Sequence, residues 1–497
     1  MTGTVLVAGT SSGAGKSTLV AGLCRWCATR GISVAPFKAQ NMSLNSFVTE
    51  DGEEIGRAQA SQAQAARVEP EAIMNPVLLK PGTDSRSQVV VLGRAVGEME
   101  AKRYWNEKAN LLDVVVDAYR QLRARFDVVI CEGAGSPAEI NLRSFDIVNL
   151  GFARAVGVPV VVVSDIDRGG MFASLVGTLA LLDDEDQRHV QGFVVNRFRG
   201  DRALLDPGLE MLRALTGRPT LGVLPYMEDL SIDEEDRPDP GAYRDPGRAL
   251  GEDTLRVAVV GLPRASNLTD LDPLAAEPGV AIRFATRPQE IADADLVVVP
   301  GTRATVDDLE WVRRRGIDAA LKERAREQRP ILGICGGYQM LGGSIEDQVE
   351  SRRGTVEGLG LLPVRTTFGA DKVLSRPRRI LGDGTLVEGY EIHHGVVRRL
   401  GGDDLFADEG CRAGAVTGTS WHGLFENDRF RRSFLDDVAL RTNRRFVVSP
   451  EARFADIRDA RFERLADMVA EHMDTEALER ILEGHTEELP PLRISST

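Results

Sequence analysis

Short apolar runs recur along this chain, each too brief for a helix and separated by stretches with helical spacing. Thr4-Val5-Leu6-Val7-Ala8, Val128-Val129-Ile130, the run from Val158 to Val163, and Gly192-Phe193-Val194-Val195 read as strands buried on both faces. Strands of that kind alternating with helical stretches predict a parallel sheet with helices on either side. The pattern lapses between about Met227 and Thr254, where Glu234-Glu235-Asp236 and several prolines and glycines interrupt any periodicity. A second series begins at Leu255-Arg256-Val257-Ala258-Val259-Val260 and continues through Leu296 to Val299 and Ile331-Leu332. The pattern predicts an α/β chain of two doubly wound domains, residues 1–230 and 254–497, joined by a linker over 231–253. The stretch from Arg453 to Leu482 has apolar residues at helical spacing and is expected to pack against the second domain. No internal repeat or low-complexity tract is evident.

Composition adds limits. At 497 residues the chain is too long for one core, and 42% hydrophobic with 27% charged residues is ordinary for a globular protein. A formal net charge of -14 argues against a general nucleic-acid binder, yet leaves room for local Arg and Lys clusters that hold an anionic small molecule. Neither a basic segment followed by an apolar stretch at Met1 nor a run of about eighteen apolar residues occurs, so neither a signal peptide nor a membrane span is expected. Five scattered cysteines fit a reducing, cytoplasmic setting. Cys24-Arg25-Trp26-Cys27 lies in a helical pattern and reads as two packed helix positions rather than a metal or redox pair.

Gly9-Thr10-Ser11-Ser12-Gly13-Ala14-Gly15-Lys16-Ser17-Thr18 follows the first strand and opens a helix. Glycines there let backbone N–H groups approach phosphate oxygens, and the helix N-terminus favours their charge. Gly13, Ala14, Gly15, Lys16, Ser17 and Thr18 are therefore ATP-binding candidates, with Lys16 reaching the outer phosphates and Ser17 a ligand for Mg²⁺. The leading glycine falls one residue earlier than in the strict pattern, and Thr10 takes its place. Glu132, ending Val128-Val129-Ile130-Cys131-Glu132, stands where a second Mg²⁺ ligand is expected; a strand-tip glutamate alone fits simple solvation as well. Asn196-Arg197 closes another strand, where reading the nucleotide base and an ordinary loop position fit equally.

Gly333-Ile334-Cys335-Gly336-Gly337 directly follows the apolar Pro330-Ile331-Leu332. A Gly-x-Cys-x-Gly at a strand end is the thiol form of a nucleophile elbow, with the sulfur at the tip of a sharp strand-to-helix turn. The backbone N–H of Gly336 would begin an oxyanion site and favour the thiolate. Taken alone, the pentapeptide fits a buried structural cysteine equally well. A thiol nucleophile needs a base, and His422, in Thr419-Ser420-Trp421-His422-Gly423-Leu424-Phe425-Glu426, lies downstream.

Several resemblances follow from these residues. The Gly-Thr-x4-Gly-Lys loop resembles dethiobiotin synthetase and related amidoligases. Strand, cysteine elbow and late histidine follow the chain order of class I glutamine amidotransferases. That family often has a glutamate two residues after its histidine; here Leu424 stands there, so a Cys–His dyad is expected, with Glu426 an open substitute. Pro300-Gly301-Thr302 resembles the loop that supplies that family's second oxyanion donor, a backbone N–H near Gly301. The chain is thus expected to join an N-terminal P-loop NTPase domain to a C-terminal class I glutamine amidotransferase-like domain.

Pro36-Phe37-Lys38-Ala39-Gln40-Asn41-Met42-Ser43, Met74-Asn75-Pro76-Val77-Leu78-Leu79-Lys80-Pro81, the run from Glu132 to Leu142 and Asp165-Ile166-Asp167-Arg168-Gly169-Gly170 extend the likeness over almost the whole chain. Together they resemble the cobyrinate amidases. Gly389-Tyr390-Glu391-Ile392-His393 resembles them too, although His394 follows where an apolar residue is more usual. The Lys-x-Gly-Pro-Asp type motif of the a,c-diamide synthases is absent. The resemblance implies ATP-, Mg²⁺- and glutamine-dependent amidation of the b, d, e and g carboxylates of adenosylcobyrinate a,c-diamide, a corrinoid small molecule. Cys335 would release ammonia, which needs a shielded path because water protonates it, and the P-loop domain would activate carboxylates as acyl phosphates. Lys38, Gln40, Asn41 and Arg168 fit substrate contacts and plain surface or loop residues alike. Two other readings compete: a different glutamine-dependent amidoligase, such as a cobyrinate a,c-diamide synthase or one acting on a cell-wall intermediate, and a regulatory P-loop ATPase with a degenerate amidotransferase-like module. Regulators of that type usually carry an extra lysine early in the loop, where this chain has Thr10, Ser11 and Ser12.

Overall fold

A computed structural model describes residues 1–83, 86–227 and 247–493. Of the predicted linker, residues 231–246 lie outside the described ones. Contacts divide the chain into two units: Met1–Ser43, Glu53–Glu234 and Asp459–Thr497 form the first, and Leu44–Gly52 with Glu235–Arg458 the second. The contiguous split at 231–253 is thus interrupted twice. A short early segment belongs with the later half, and the chain's last segment belongs with the early half.

The first unit is built on a six-stranded sheet in the order Thr220–Pro225, Val190–Phe198, Val160–Asp165, Gly3–Gly9, Val128–Glu132 and Val34–Phe37. All of its ladders are parallel, as the continuous apolar runs predict. Parallel register brings the C-terminal ends of Gly3–Gly9 and Val128–Glu132 side by side, with Val7 opposite Glu132. The phosphate loop leaves one of these ends and Glu132 closes the other, at the sheet edge where open α/β folds bind ligands. Cys24 and Cys27 are both buried in the core of this unit, as packed helix positions.

The C-terminal helices contradict one expectation. Arg453–Leu482 is helical, but Phe462, Leu465, Val469, Leu478 and Ile481 join Val5, Leu19 and Leu23 in the core of the first unit. The helix Lys16–Thr29 accepts them at Gly22, where a Cβ would lie 3.0 Å from the Leu465 carbonyl and 3.1 Å from Val469. Arg25, 1% exposed, anchors the pairing through Asp459 (2.6 Å) and Glu463 (2.9 Å). An apolar stripe specifies that a face is buried without specifying its partner, and here the partner is the phosphate-loop helix.

The second unit carries a six-stranded sheet ordered Val280–Ala285, Leu255–Val260, Leu296–Val299, Ile331–Ile334, Val416–Thr419 and Cys411–Ala413. Only the last pairing is antiparallel. A four-stranded sheet, Gly354–Glu357, Ser344–Asp347, Val364–Ser375 and Glu391–Arg399, belongs to the same unit. Among the described residues no helix is long and apolar enough to cross a membrane.

Candidate active sites

Cys335 ends the strand Ile331–Ile334 and caps the helix Gly336–Leu341 with φ 50° and ψ -109°, a left-handed conformation that a non-glycine residue adopts at a cost of roughly 1–3 kcal/mol. The surrounding glycines make that turn possible. A Cβ on Gly337 would stand 2.0 Å from the Val299 carbonyl, and one on Gly333 2.8 Å from the Tyr338 backbone. The strained turn and the close approach together are the nucleophile elbow expected from the pentapeptide.

Around the thiol the structure gathers the predicted partners. A Cβ on Gly336 would meet the Thr302 backbone nitrogen at 3.1 Å, and one on Gly301 would meet Cε1 of His422 at 3.0 Å. Both oxyanion candidates therefore lie beside the cysteine and the histidine. The expected dyad gains a third member, which sequence reasoning missed: Nδ1 of His422 is 2.7 Å from Oδ2 of Asp270, whose Oδ1 accepts from the Gly423 N–H at 2.7 Å. The substitute left open, Glu426, instead accepts from Arg458 at 2.8 Å. Asp270 is 152 residues from His422 in sequence, so no spacing betrays the pair. One signal was available: Asp270 follows the C-terminal end of Leu255–Val260, the sheet edge at which such folds place functional residues.

The electrostatics follow from burial and partners. Burial alone would raise the Cys335 thiol. The His422 charge and hydrogen bond, the His393 charge and the Gly336 N–H more than offset it, so the thiol is held below its ordinary value. Burial would lower His422, but the Asp270 carboxylate and the Cys335 sulfur raise it to about 10. Each group favours the charged form of the other, which draws the pair toward thiolate beside imidazolium, a nucleophile with its acid next to it. Asp270→Asn removes the charge that raises His422. Its alkaline limb of glutaminase activity is expected to move to lower pH, and the rate to fall on the order of 10² or more. A glutaminase pH profile of the variant checks both.

The early segment Leu44–Gly52 braces this site from the second unit's own side. Its strand Ser46–Val48 brings the Ser46 N–H to Oδ1 of Asn267 (2.9 Å), while the Asn267 N–H donates to Oδ1 of Asn45 (2.7 Å). Asn267, with φ 53°, immediately precedes the turn Leu268–Leu271 that carries Asp270. Phe47 packs on Tyr390 at 5.0 Å, and Tyr390 stacks on the His422 ring at 5.3 Å while exchanging backbone hydrogen bonds with His422.

In the first unit Gly15 has φ 99° and leads into the helix at Lys16. Lys16 Nζ donates to the carbonyls of Ser11 (3.0 Å) and Gly135 (3.2 Å), folded over the loop. Ser17 donates to Oε1 of Glu132 at 2.8 Å, which leaves its oxygen lone pairs to accept or to ligate. Thr18 follows in the first helical turn. Glu132 is fully buried and also receives Lys38 Nζ (2.8 Å) and Gln62 Nε2 (2.5 Å). Burial would raise its carboxyl, but Lys38 and these donors outweigh that and hold it below the usual range. One hydroxyl backed by one ionised carboxylate suits Mg²⁺, which takes few protein ligands when nucleotide phosphates and waters supply the rest.

Asn196 donates to the Ala14 carbonyl at 3.0 Å, so it holds the phosphate loop's backbone. Arg197 pairs with Asp165 at 3.0 Å, and the exposed Arg168 approaches both Asp165 (3.5 Å) and the position a Cβ would take on Gly13 (3.4 Å). The four tentative substrate residues separate accordingly. Lys38 is tied to Glu132, Asn41 donates to Gln59 at 2.8 Å in the interior, and Arg168 sits by the loop. Gln40 alone of the four lines a cavity of about 390 Å³, with Ser12, Met42, Leu79, Ser136 and Asn149.

A phosphate loop on one parallel sheet and a cysteine elbow with histidine and aspartate on another define the class, a glutamine-dependent amidoligase, and comparison with known proteins agrees. Residues 5–238 match the CobQ/CobB/MinD/ParA nucleotide binding domain, and residues 256–430 the CobB/CobQ-like glutamine amidotransferase domain. The chain is 60% identical to the cobyric acid synthase of Streptomyces avermitilis and 59% to that of Streptomyces coelicolor, each over 97% of both chains. It is 57% identical to the cobyric acid synthase of Frankia casuarinae over 99% of both chains. This chain belongs to the cobyric acid synthase family of cobalamin biosynthesis, an ATP- and glutamine-using group. The resemblance drawn from the long sequence segments holds.

Proposed function

We propose that this chain amidates the b, d, e and g carboxylates of adenosylcobyrinate a,c-diamide, with glutamine as nitrogen source and ATP as activator. The observation that carries the reading is the Cys335–His422–Asp270 arrangement, a complete ammonia-releasing site in a chain that also has a phosphate loop. The Cys335 thiolate attacks the glutamine side-chain amide carbon. The tetrahedral oxyanion is met by the Gly336 N–H and a backbone donor near Gly301. His422 gives its proton to the departing ammonia, and then takes one from the water that hydrolyses the thioester to glutamate. Asp270 keeps the ring oriented and stabilises its charged form whenever it holds the proton.

In the first unit a substrate carboxylate oxygen attacks the γ-phosphorus of ATP, which gives an acyl phosphate and ADP. Ammonia then attacks the acyl carbon and phosphate leaves. Lys16 is the cation for the transferred group, the loop N–H groups of Gly13 to Ser17 hold the phosphates, and Asn196 keeps the loop in shape. Ser17 and Glu132 would hold Mg²⁺, which when bound offsets phosphate charge. The cavity beside Ser12 offers apolar contact from Met42 and Leu79 and polar contact from Gln40, a mixture suited to a carboxylate arm on the rim of a macrocycle.

Incubation with ATP, glutamine and the a,c-diamide, followed by mass spectrometry, tests the reading. Four successive exchanges of carboxyl hydroxyl for amino are expected. An unchanged corrinoid in the presence of active glutaminase would sink it.

A further inference from the structure

Free glutamine differs from other amides by its α-ammonium and α-carboxylate, so a glutaminase site needs groups for that charged head as well as for the amide. The strand Glu391–Arg399 is tied at two points to the elements that carry His422 and Cys335. At one end Tyr390 exchanges backbone hydrogen bonds with His422. At the other the Gly395 carbonyl accepts from Nε2 of Gln339, one helical turn beyond Cys335, at 3.1 Å. Alternation along the strand puts Glu391 and His393 on the same face as Gly395. A Cβ on Gly395 would lie 2.7 Å from Gln339 Nε2, so this face looks onto the helix that begins at the elbow.

His393 is only 9% exposed, and its Nδ1 is buried without a hydrogen-bond partner. Its Nε2 reaches Oε1 of Glu391 at 3.4 Å, and Oε2 of Glu391 accepts from Ser375 at 2.8 Å. Such an orphaned nitrogen is destabilising unless something meets it. An acid–base pair with one unmet nitrogen, on the strand that Gly395 ties to Gln339, is what a zwitterionic head would complete.

We infer that His393 and Glu391 form the subsite for the α-amino-acid head of glutamine, with Nδ1 of His393 meeting the α-carboxylate and Glu391 facing the α-ammonium. The inference rests on the glutaminase half of the reading above. Neighbouring charges agree with it: burial would lower His393, but Glu391 and Cys335 raise it, which favours the protonated ring that donates to a carboxylate.

The test uses the full-length enzyme with His393→Ala, His393→Asn and Glu391→Gln. For His393→Ala and Glu391→Gln the glutamine KM is expected to rise at least about tenfold, the scale of a charge-assisted hydrogen bond, with a smaller change in kcat; His393→Asn keeps a donor and falls between. Inactivation of Cys335 by the glutamine analogue 6-diazo-5-oxonorleucine slows in step with KM. Alkylation by iodoacetamide, which lacks the head, slows only as far as the lost His393 charge weakens the thiolate, well short of the slowing seen with the analogue. An unchanged KM overturns the assignment. So does an equal slowing by both reagents, which would make His393 no more than a tuner of the thiolate. Corrinoid amidation from ammonium salts is unaffected in all three variants, and because glutaminase needs no corrinoid, failure of this subsite and failure of the corrinoid reading are separable.

Discussion

Cys335→Ala is expected to abolish glutamine-driven amidation and glutaminase activity together, while amidation from added ammonium salt continues. The loss should be several orders of magnitude, because the thiolate is the group that forms the covalent intermediate and nothing beside it can replace it. His422 and Asp270 remain in the variant but have no nucleophile to serve. Survival of the ammonia reaction follows from where the atoms lie. Cys335 stands on the sheet of the second unit, and the phosphate loop stands on the sheet of the first. Truncation to alanine removes the sulfur without disturbing the glycines that shape the turn, and it relieves no contact in the first unit. Product formation with glutamine and with ammonium chloride, measured side by side, decides the matter. Loss of both in a folded protein would mean that the thiol serves the synthetase chemistry directly.

Lys16→Met produces the complementary pattern. Amidation should fall to background with either nitrogen source, and glutaminase activity should persist. Lys16 is 6% exposed and folded onto the Ser11 and Gly135 carbonyls, so the aliphatic part of methionine can occupy its path with little change in packing. What disappears is the cation that offsets charge on the transferred phosphoryl group in its transition state, a contribution of several kcal/mol in phosphoryl transfer of this type. ATP consumption and amide formation should vanish in parallel. Persistence of ATP-dependent amidation in Lys16→Met would remove the phosphate loop from the mechanism.

The two sites differed in how far the sequence disclosed them. The phosphate loop from Gly9 to Thr18 and the elbow from Gly333 to Gly337 are contiguous, because backbone geometry is local and only certain residues permit it. Gly15 at φ 99° and Cys335 at φ 50° are the physical reasons those strings can be recognised at all. Asp270 was hidden for the opposite reason. A carboxylate reaches an imidazole through folded space, and a polar residue in a loop looks the same whether it faces water or a histidine. Leu424 in the expected glutamate's place pointed to a dyad, when the carboxylate had been supplied from another loop. The C-terminal helices show a third case. Their apolar spacing predicted burial correctly, but choice of partner depended on Gly22, whose small size is legible only beside Leu465 and Val469. Lys38 illustrates the same limit at the synthetase site, since its 2.8 Å pairing with buried Glu132 leaves no mark in either residue's sequence neighbourhood.

The interleaved course of the chain has a consequence for its synthesis on the ribosome. A domain made first can usually fold first. Here the sheet around the phosphate loop is complete by Pro225, yet the apolar face of its first helix is covered only when Phe462, Leu465, Val469, Leu478 and Ile481 have been made. Nascent chains that carry the whole nucleotide-binding sheet must therefore wait, with that face open, until the segment through Leu482 emerges. The glutaminase unit needs nothing later than Arg458 and already has Leu44–Gly52 in hand, so it is the second half of this chain that can finish first.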